Sequence, residues 1–93
     1  MPKLTSAQIK LEVERLPDWR RQRKVITRTY QFKDFPAAMR FVNAVAKCAE
    51  QVGHHPDIDI RWNRVTLSLT THDAGGLSEK DFALARRLDR LIK

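Results

Sequence analysis

The sequence predicts an α+β domain, a four-stranded antiparallel sheet with three helices packed on one face, in the order α-β-β-α-β-β-α. Three observations lead there. Apolar residues recur at helical spacing in three segments, two of which open with a paired capping signature. Between the helices the period drops to two, most clearly over residues 57–70. The connections inside each strand pair are too short for a parallel crossover, so each pair is a hairpin.

The first helix opens at Thr5 with Gln8 three residues on, a capping box, and Leu4 with Ile9 stands as a hydrophobic staple. Ile9, Val13 and Leu16 mark its apolar side and Pro17 closes it. Residues 18–21 form a short strand carrying Trp19, Arg23-Lys24 is a turn, and 25–32 is rich in β-branched and aromatic residues. Asp34 caps a second helix that tolerates Pro36 in its first turn, and Gly53 stands where a helix ends in the left-handed conformation. Ala38, Phe41, Val45, Ala49 and Val52 are its buried stripe, with Arg40, Asn43, Lys47 and Glu50 on another face. Ile58, Ile60 and Trp62 then alternate with charged residues, a turn falls at Asn63-Arg64, and Val65, Leu67 and Leu69 alternate with Thr66, Ser68 and Thr70. A loop over 71–76 leads to the last helix. Ser78 is its N-cap, Asp81 its N3 residue, Leu77 and Phe82 a second staple, and Phe82, Ala85, Leu88 and Ile92 its apolar side.

Ninety-three residues make one domain, 1–93, and leave no room for a second core. So small a core favours burying more apolar surface between subunits. No segment is long and apolar enough to cross a membrane, and MPKLTSAQIK lacks the apolar stretch of a signal peptide. Cys48, the single cysteine, allows no intrachain disulfide and suits a reducing, cytoplasmic setting. The net charge of +7 raises nucleic acid as a partner, and Arg20, Arg21, Arg23, Lys24 and Arg28 are its densest run. Without a recognisable nucleic-acid module, that run is better understood as the solvated faces of a strand pair.

All three histidines flank the second hairpin: His54 and His55 before it, held by Pro56, and His72 just after it. Antiparallel pairing sets the start of one strand beside the end of the other, so the hairpin carries His54 and His55 towards His72. Imidazole titrates near neutrality, with an ordinary pKa of about 6.5, and a cluster can therefore supply both an acid and a base. Metal binding is the rival use. Adjacent His54 and His55 project in different directions, Cys48 is a small core residue, and neither Cys-x-x-Cys nor His-x-x-x-His occurs. Nucleophilic catalysis has no support, since Ser68 and Ser78 have strand and cap roles and no Gly-x-Ser-x-Gly elbow exists.

At these residues the chain resembles the pterin-4a-carbinolamine dehydratase family. The likeness runs from Glu50 through His54-His55-Pro56 and the aromatic Trp62 to Thr70-Thr71-His72-Asp73. It ends with Asp81 in Gly76-Leu77-Ser78-Glu79-Lys80-Asp81, and Trp19 and Phe32-Lys33-Asp34-Phe35 extend it towards the N-terminus. The resemblance implies a lyase that converts 4a-hydroxytetrahydropterin to quinonoid dihydropterin and water, within tetrahydropterin recycling for aromatic amino-acid hydroxylases. It implies a homodimer or homotetramer and neither a metal nor an organic cofactor, because the pterin ring supplies its own electrons. Carried over residue by residue, His54 and His72 transfer the protons and His55 orients the pterin. Pro56, Thr71 and Asp73 line the pterin edge, and Trp19 is a core residue or a wall of its binding site. Which imidazole is acid and which is base stays open. Asp81 is a helix cap by its position and a support for an imidazole by the resemblance, and Glu50 is either an exposed helix residue or a support for His54. Some members of the family also serve as dimerisation cofactors of transcription factors, a second function of a different class.

Overall fold

The computed structural model describes residues 2–92, so Met1 and Lys93 of the expected 1–93 domain lie outside the described residues. Thr5 caps α1 (Ser6–Glu14) as its capping box requires: its hydroxyl accepts the Gln8 N–H at 3.2 Å, and the Gln8 side chain accepts the Thr5 N–H at 2.8 Å. The helix ends two residues before the expected apolar residue Leu16. A turn in which Trp19 N–H donates to the Leu16 carbonyl then buries both Leu16 and Trp19. That turn holds Trp19 out of the first strand, so β1 is Arg20–Gln22 rather than 18–21. Arg23 takes a left-handed φ of 56° at the expected Arg23-Lys24 turn, and β2 (Val25–Gln31) follows.

Asp34 accepts the Ala37 N–H at 2.9 Å and starts α2 (Phe35–Val52), which ends at Gly53 with φ 67°. Ala38, Phe41, Val45 and Ala49 are buried as expected, Cys48 joins them, and Val52 is only partly covered. β3 (Asp57–Arg61) and β4 (Arg64–Leu69) form the second hairpin. Its turn is Trp62-Asn63, one residue earlier than expected, with Trp62 at φ 52°. The cause is Asn63, which is buried and clamps the far end of β2: its Nδ2 donates to the Phe32 carbonyl at 2.8 Å while its own carbonyl accepts the Phe32 N–H at 2.9 Å. Moving the turn by one residue moves the register by two, so Asp57 faces Ser68 and the two faces of each strand are unchanged. The loop after β4 holds a single-turn 3-10 helix, His72–Ala74, which places His72 inside a short helical turn rather than in plain loop.

The sheet order is β1-β2-β4-β3, antiparallel throughout, with the three helices on one face as predicted. Ile26, Tyr30, Val65, Leu67 and Leu69 share the covered face and pack against Phe41 and Val45 of α2 and Phe82 and Leu88 of α3 (Glu79–Asp89). The uncovered face is polar: Thr27 and Ser68, and Thr29 and Thr66, pair their hydroxyls across β2 and β4. Sheet and helices thus put the end of α2, the start of β3, the end of β4 and the start of α3 at one end of the molecule.

Candidate active site

Gly53 turns the chain sharply out of α2, and His54 follows at once. Its Nε2 lies 2.7 Å from Asp81 Oδ1, with the His54 side chain largely buried and the Asp81 side chain fully so. Asp81 is also the N3 residue of α3, where its Oδ2 accepts the Ser78 N–H at 2.9 Å and the Thr71 hydroxyl at 2.8 Å. Cap and imidazole support are therefore one side chain using different oxygens. A buried carboxylate holding that many donors acts as acceptor to all of them, so His54 presents a proton on Nε2, and Nδ1 is the ring nitrogen that Asp81 does not engage.

His55 is exposed, and its Nε2 lies 2.5 Å from Glu50 Oε2. Glu50 thus meets His55, not His54 as one sequence reading had it. His54 follows Gly53 back under α2 towards α3, whereas His55 stays beside the outer side of the helix. His72 opens its 3-10 turn, is exposed, and its ring makes no hydrogen bond among the described residues.

His54, His55 and His72 line one open cavity of about 340 Å³, together with Thr71, Asp73 and Lys80. Pro56 is adjacent in sequence but is not part of its wall. Trp19 lies in the core at 3% exposure, its indole N–H donating to Asp89, and takes no part in the cavity. Asp57, Ser68, Thr70 and Lys80 also reach the wall and were not singled out from the sequence. The first two could have been found from the register, which sets Asp57 opposite Ser68 at the histidine end of the hairpin. A larger cavity of about 560 Å³ lies between β2, α2 and the C-terminal turn, lined by Tyr30, Phe32, Arg40, Phe41 and Leu91 among others. It offers no side chain that exchanges protons near neutrality, which leaves the histidine cavity as the candidate site. Among the described residues, no group of three or more His, Cys, Asp or Glu is placed to hold a metal ion.

Comparison with known proteins decides the family. The family model described as pterin 4 alpha carbinolamine dehydratase matches residues 2–91. The chain belongs to this family. A protein named for pterin-4-alpha-carbinolamine dehydratase from Chloroflexus aurantiacus is 55% identical over 92 residues, covering 99% of each chain. One of the same name from Acidobacterium capsulatum is 54% identical, covering 99% of this chain and all of that one. Among solved structures, a transcriptional coactivator/pterin dehydratase from Brucella melitensis superposes with a TM-score of 0.93 at 33% identity, covering 98% of this chain and 99% of that one. A pterin dehydratase-like protein described as a RuBisCO assembly factor in the alpha-carboxysome has a TM-score of 0.70 at 28% identity, over 80% of this chain and 88% of that one. The pterin-4a-carbinolamine dehydratase fold is therefore also borne by a protein described by what it assembles.

Proposed function

We propose that this chain is a hydro-lyase that removes water from a 4a-hydroxytetrahydropterin, giving quinonoid dihydropterin, with histidine side chains moving the protons. The observation that carries this reading is the cavity that gathers His54, His55 and His72, with His54 backed at 2.7 Å by a buried carboxylate. Hydroxide is a poor leaving group, so an acid protonates the C4a oxygen as the C–O bond breaks. A ring nitrogen feeds its electrons into the new C=N bond, and a base takes the ring proton that is lost. Positioned acid–base groups contribute about 10²–10⁴-fold, adequate for a reaction that already runs unaided.

His54 suits the base: Asp81 holds the proton on Nε2, leaves the Nδ1 lone pair free, and stands ready beside the imidazolium that forms. His72, with no carboxylate partner among the described residues, suits the acid. His55, steadied by Glu50 at the rim, orients the pterin, and Thr71 and Asp73 contribute to its edge. The chain acts as a single 1–93 domain, in the cytoplasm, returning product for recycling to aromatic amino-acid hydroxylases, without metal or organic cofactor.

A homo-oligomer, dimer or tetramer, is part of the same proposal, and the free edge of β3 supports it. Ile58 and Ile60 are 37% and 38% exposed there and Trp62 68%. Antiparallel pairing of two β3 strands about Ile60 would set Asp59 opposite the partner subunit's Arg61, a register that charge favours. The second reading, a dimerisation cofactor for a transcription factor, draws on the likeness to the Brucella transcriptional coactivator/pterin dehydratase and does not exclude the first.

The test is the decay of a synthetic 4a-hydroxytetrahydropterin. Purified protein accelerates it, and EDTA leaves the rate unchanged. Unaltered decay in the presence of well-folded protein overturns the proposal.

A further inference from the structure

The buried polar chain behind His54 is longer than a helix cap needs. A capping box requires only that Ser78 and Asp81 satisfy the first amides of α3, which they do. Thr71, outside the helix, adds a hydroxyl 2.8 Å from Asp81 Oδ2 and 2.7 Å from Ser78 Oγ. All three side chains are sealed from water: Ser78 and Asp81 are 0% exposed and Thr71 5%.

The direction of the chain follows from counting protons. Thr71 has one hydroxyl proton and the carboxylate oxygen can only accept, so Thr71 donates to Asp81. Thr71 Oγ1 must then accept from the Ser78 hydroxyl, whose own oxygen accepts the Lys80 N–H at 3.3 Å. Oδ2 is thereby committed to two donors, the Thr71 hydroxyl and the Ser78 N–H. Turning the carboxylate would break both, and only Oδ1 remains for His54 Nε2. Thr71 also clasps the loop that bears His72. Its N–H donates to the Gly76 carbonyl at 3.2 Å, and its carbonyl accepts the Gly76 N–H at 3.3 Å. One residue thus anchors the support of His54 and, through the backbone, the root of its neighbour His72.

We propose that Thr71 and Ser78 are positioning residues: their hydroxyls form a directional chain that locks the Asp81 carboxylate, and so keeps a proton of His54 on Nε2. This rests on the histidine reading for its kinetic consequence but not for its structural one. Thr71→Val removes the hydroxyl at nearly constant shape and leaves the Ser78–Asp81 cap in place, and Thr71→Ser restores the hydroxyl.

Two measurements test it. ¹⁵N NMR of ligand-free protein reports the His54 tautomer: the Nε2–H form in the wild type, a mixture in Thr71→Val, and a return to the Nε2–H form in Thr71→Ser. In the dehydration assay Thr71→Val loses about tenfold in kcat, the equivalent of one hydrogen bond, with KM within about twofold, and Thr71→Ser recovers most of the rate. Should Thr71→Val not fold, Thr71→Ala makes the same deletion. A wild-type tautomer ratio in the hydroxyl-deleted variant overturns the lock, as does a Thr71→Ser variant no better than Thr71→Val. The NMR readout needs no substrate, so it stands even if the wild type shows no dehydratase activity.

Discussion

Two carboxylates on α3, one at each end, show what separates a structural clasp from a site. Asp81 lies in the first turn, where the helix dipole and unpaired amides welcome a negative charge. Asp89 is the last residue, where the dipole opposes it, and Arg28 compensates at 2.7 Å. Each gathers three donors, mostly near in sequence for Asp81 and all distant for Asp89. Asp81 takes the Thr71 hydroxyl, the Ser78 amide and His54 Nε2. Asp89 takes the Trp19 indole at 3.0 Å, Arg28, and the Tyr30 hydroxyl at 2.7 Å. Arg28 also lies over the Tyr30 ring, 4.3 Å from its centroid. The difference is in the donors. Imidazole exchanges its proton near neutrality, and His54 lines a cavity. Guanidinium and indole keep theirs, and burial together with the bond to Asp89 pushes the Tyr30 phenol well above its ordinary value. Burying a carboxylate does not make a site; the group it holds does.

The comparison breaks most sharply under substitutions on the two sides. His54→Ala should lower kcat/KM by about 10²–10⁴-fold, or about 3–5 kcal/mol of transition-state stabilisation, while unfolding stays cooperative. His72→Ala should fall in the same range. Full activity in both would remove the proton-transfer pair. Next in size is Asp89→Ala, which leaves the Tyr30 and Trp19 donors without their acceptor. It should cost about 2–3 kcal/mol in urea unfolding with kcat nearly unchanged at a temperature where the protein stays folded. A large loss of kcat there would mean that the two ends of α3 are coupled, and the contrast would fail.

The two regions also differ in how far the amino-acid sequence betrays them. The histidine end follows from local signals. Ser78 and Asp81 announce a helix start, Gly53 announces a helix end, and alternation over the second hairpin brings His54, His55 and His72 together. Even the misplaced turn did no harm, because a two-residue shift of register keeps every side chain on its own face. That turn was hidden because Trp62 looks like a strand residue, and its left-handed φ is held by Asn63 bonding to the distant Phe32. The Asp89 clasp was not legible at all: its donors come from 70, 61 and 59 residues away, and no periodicity links them. Trp19 accordingly could be read as core or as pocket wall, and only the clasp shows that it is a core donor. Glu50 could be read as an exposed helix residue or as a support for His54, and only the path of the chain after Gly53 decides that it meets His55.

The smallest predicted effect tests the quiet side of the comparison. Tyr30→Phe removes one hydrogen bond and should cost about 1 kcal/mol at neutral pH without changing kcat. Its pH dependence gives the sharper signature. Because the folded state raises the phenol, Tyr30 is protonated in both states below about pH 10 and its contribution is fully present there. Above that, the unfolded chain loses the proton while the folded protein keeps it, so stability falls by up to about 1.4 kcal/mol per pH unit. Tyr30 is the single tyrosine, so the difference between wild type and Tyr30→Phe isolates this effect from the lysines that titrate in the same range. Urea unfolding at pH 7, 10 and 11 should show the wild-type advantage shrinking across the last interval. Parallel curves would mean that the phenol is not held by Asp89 in solution, and the clasp would lose one of its three donors.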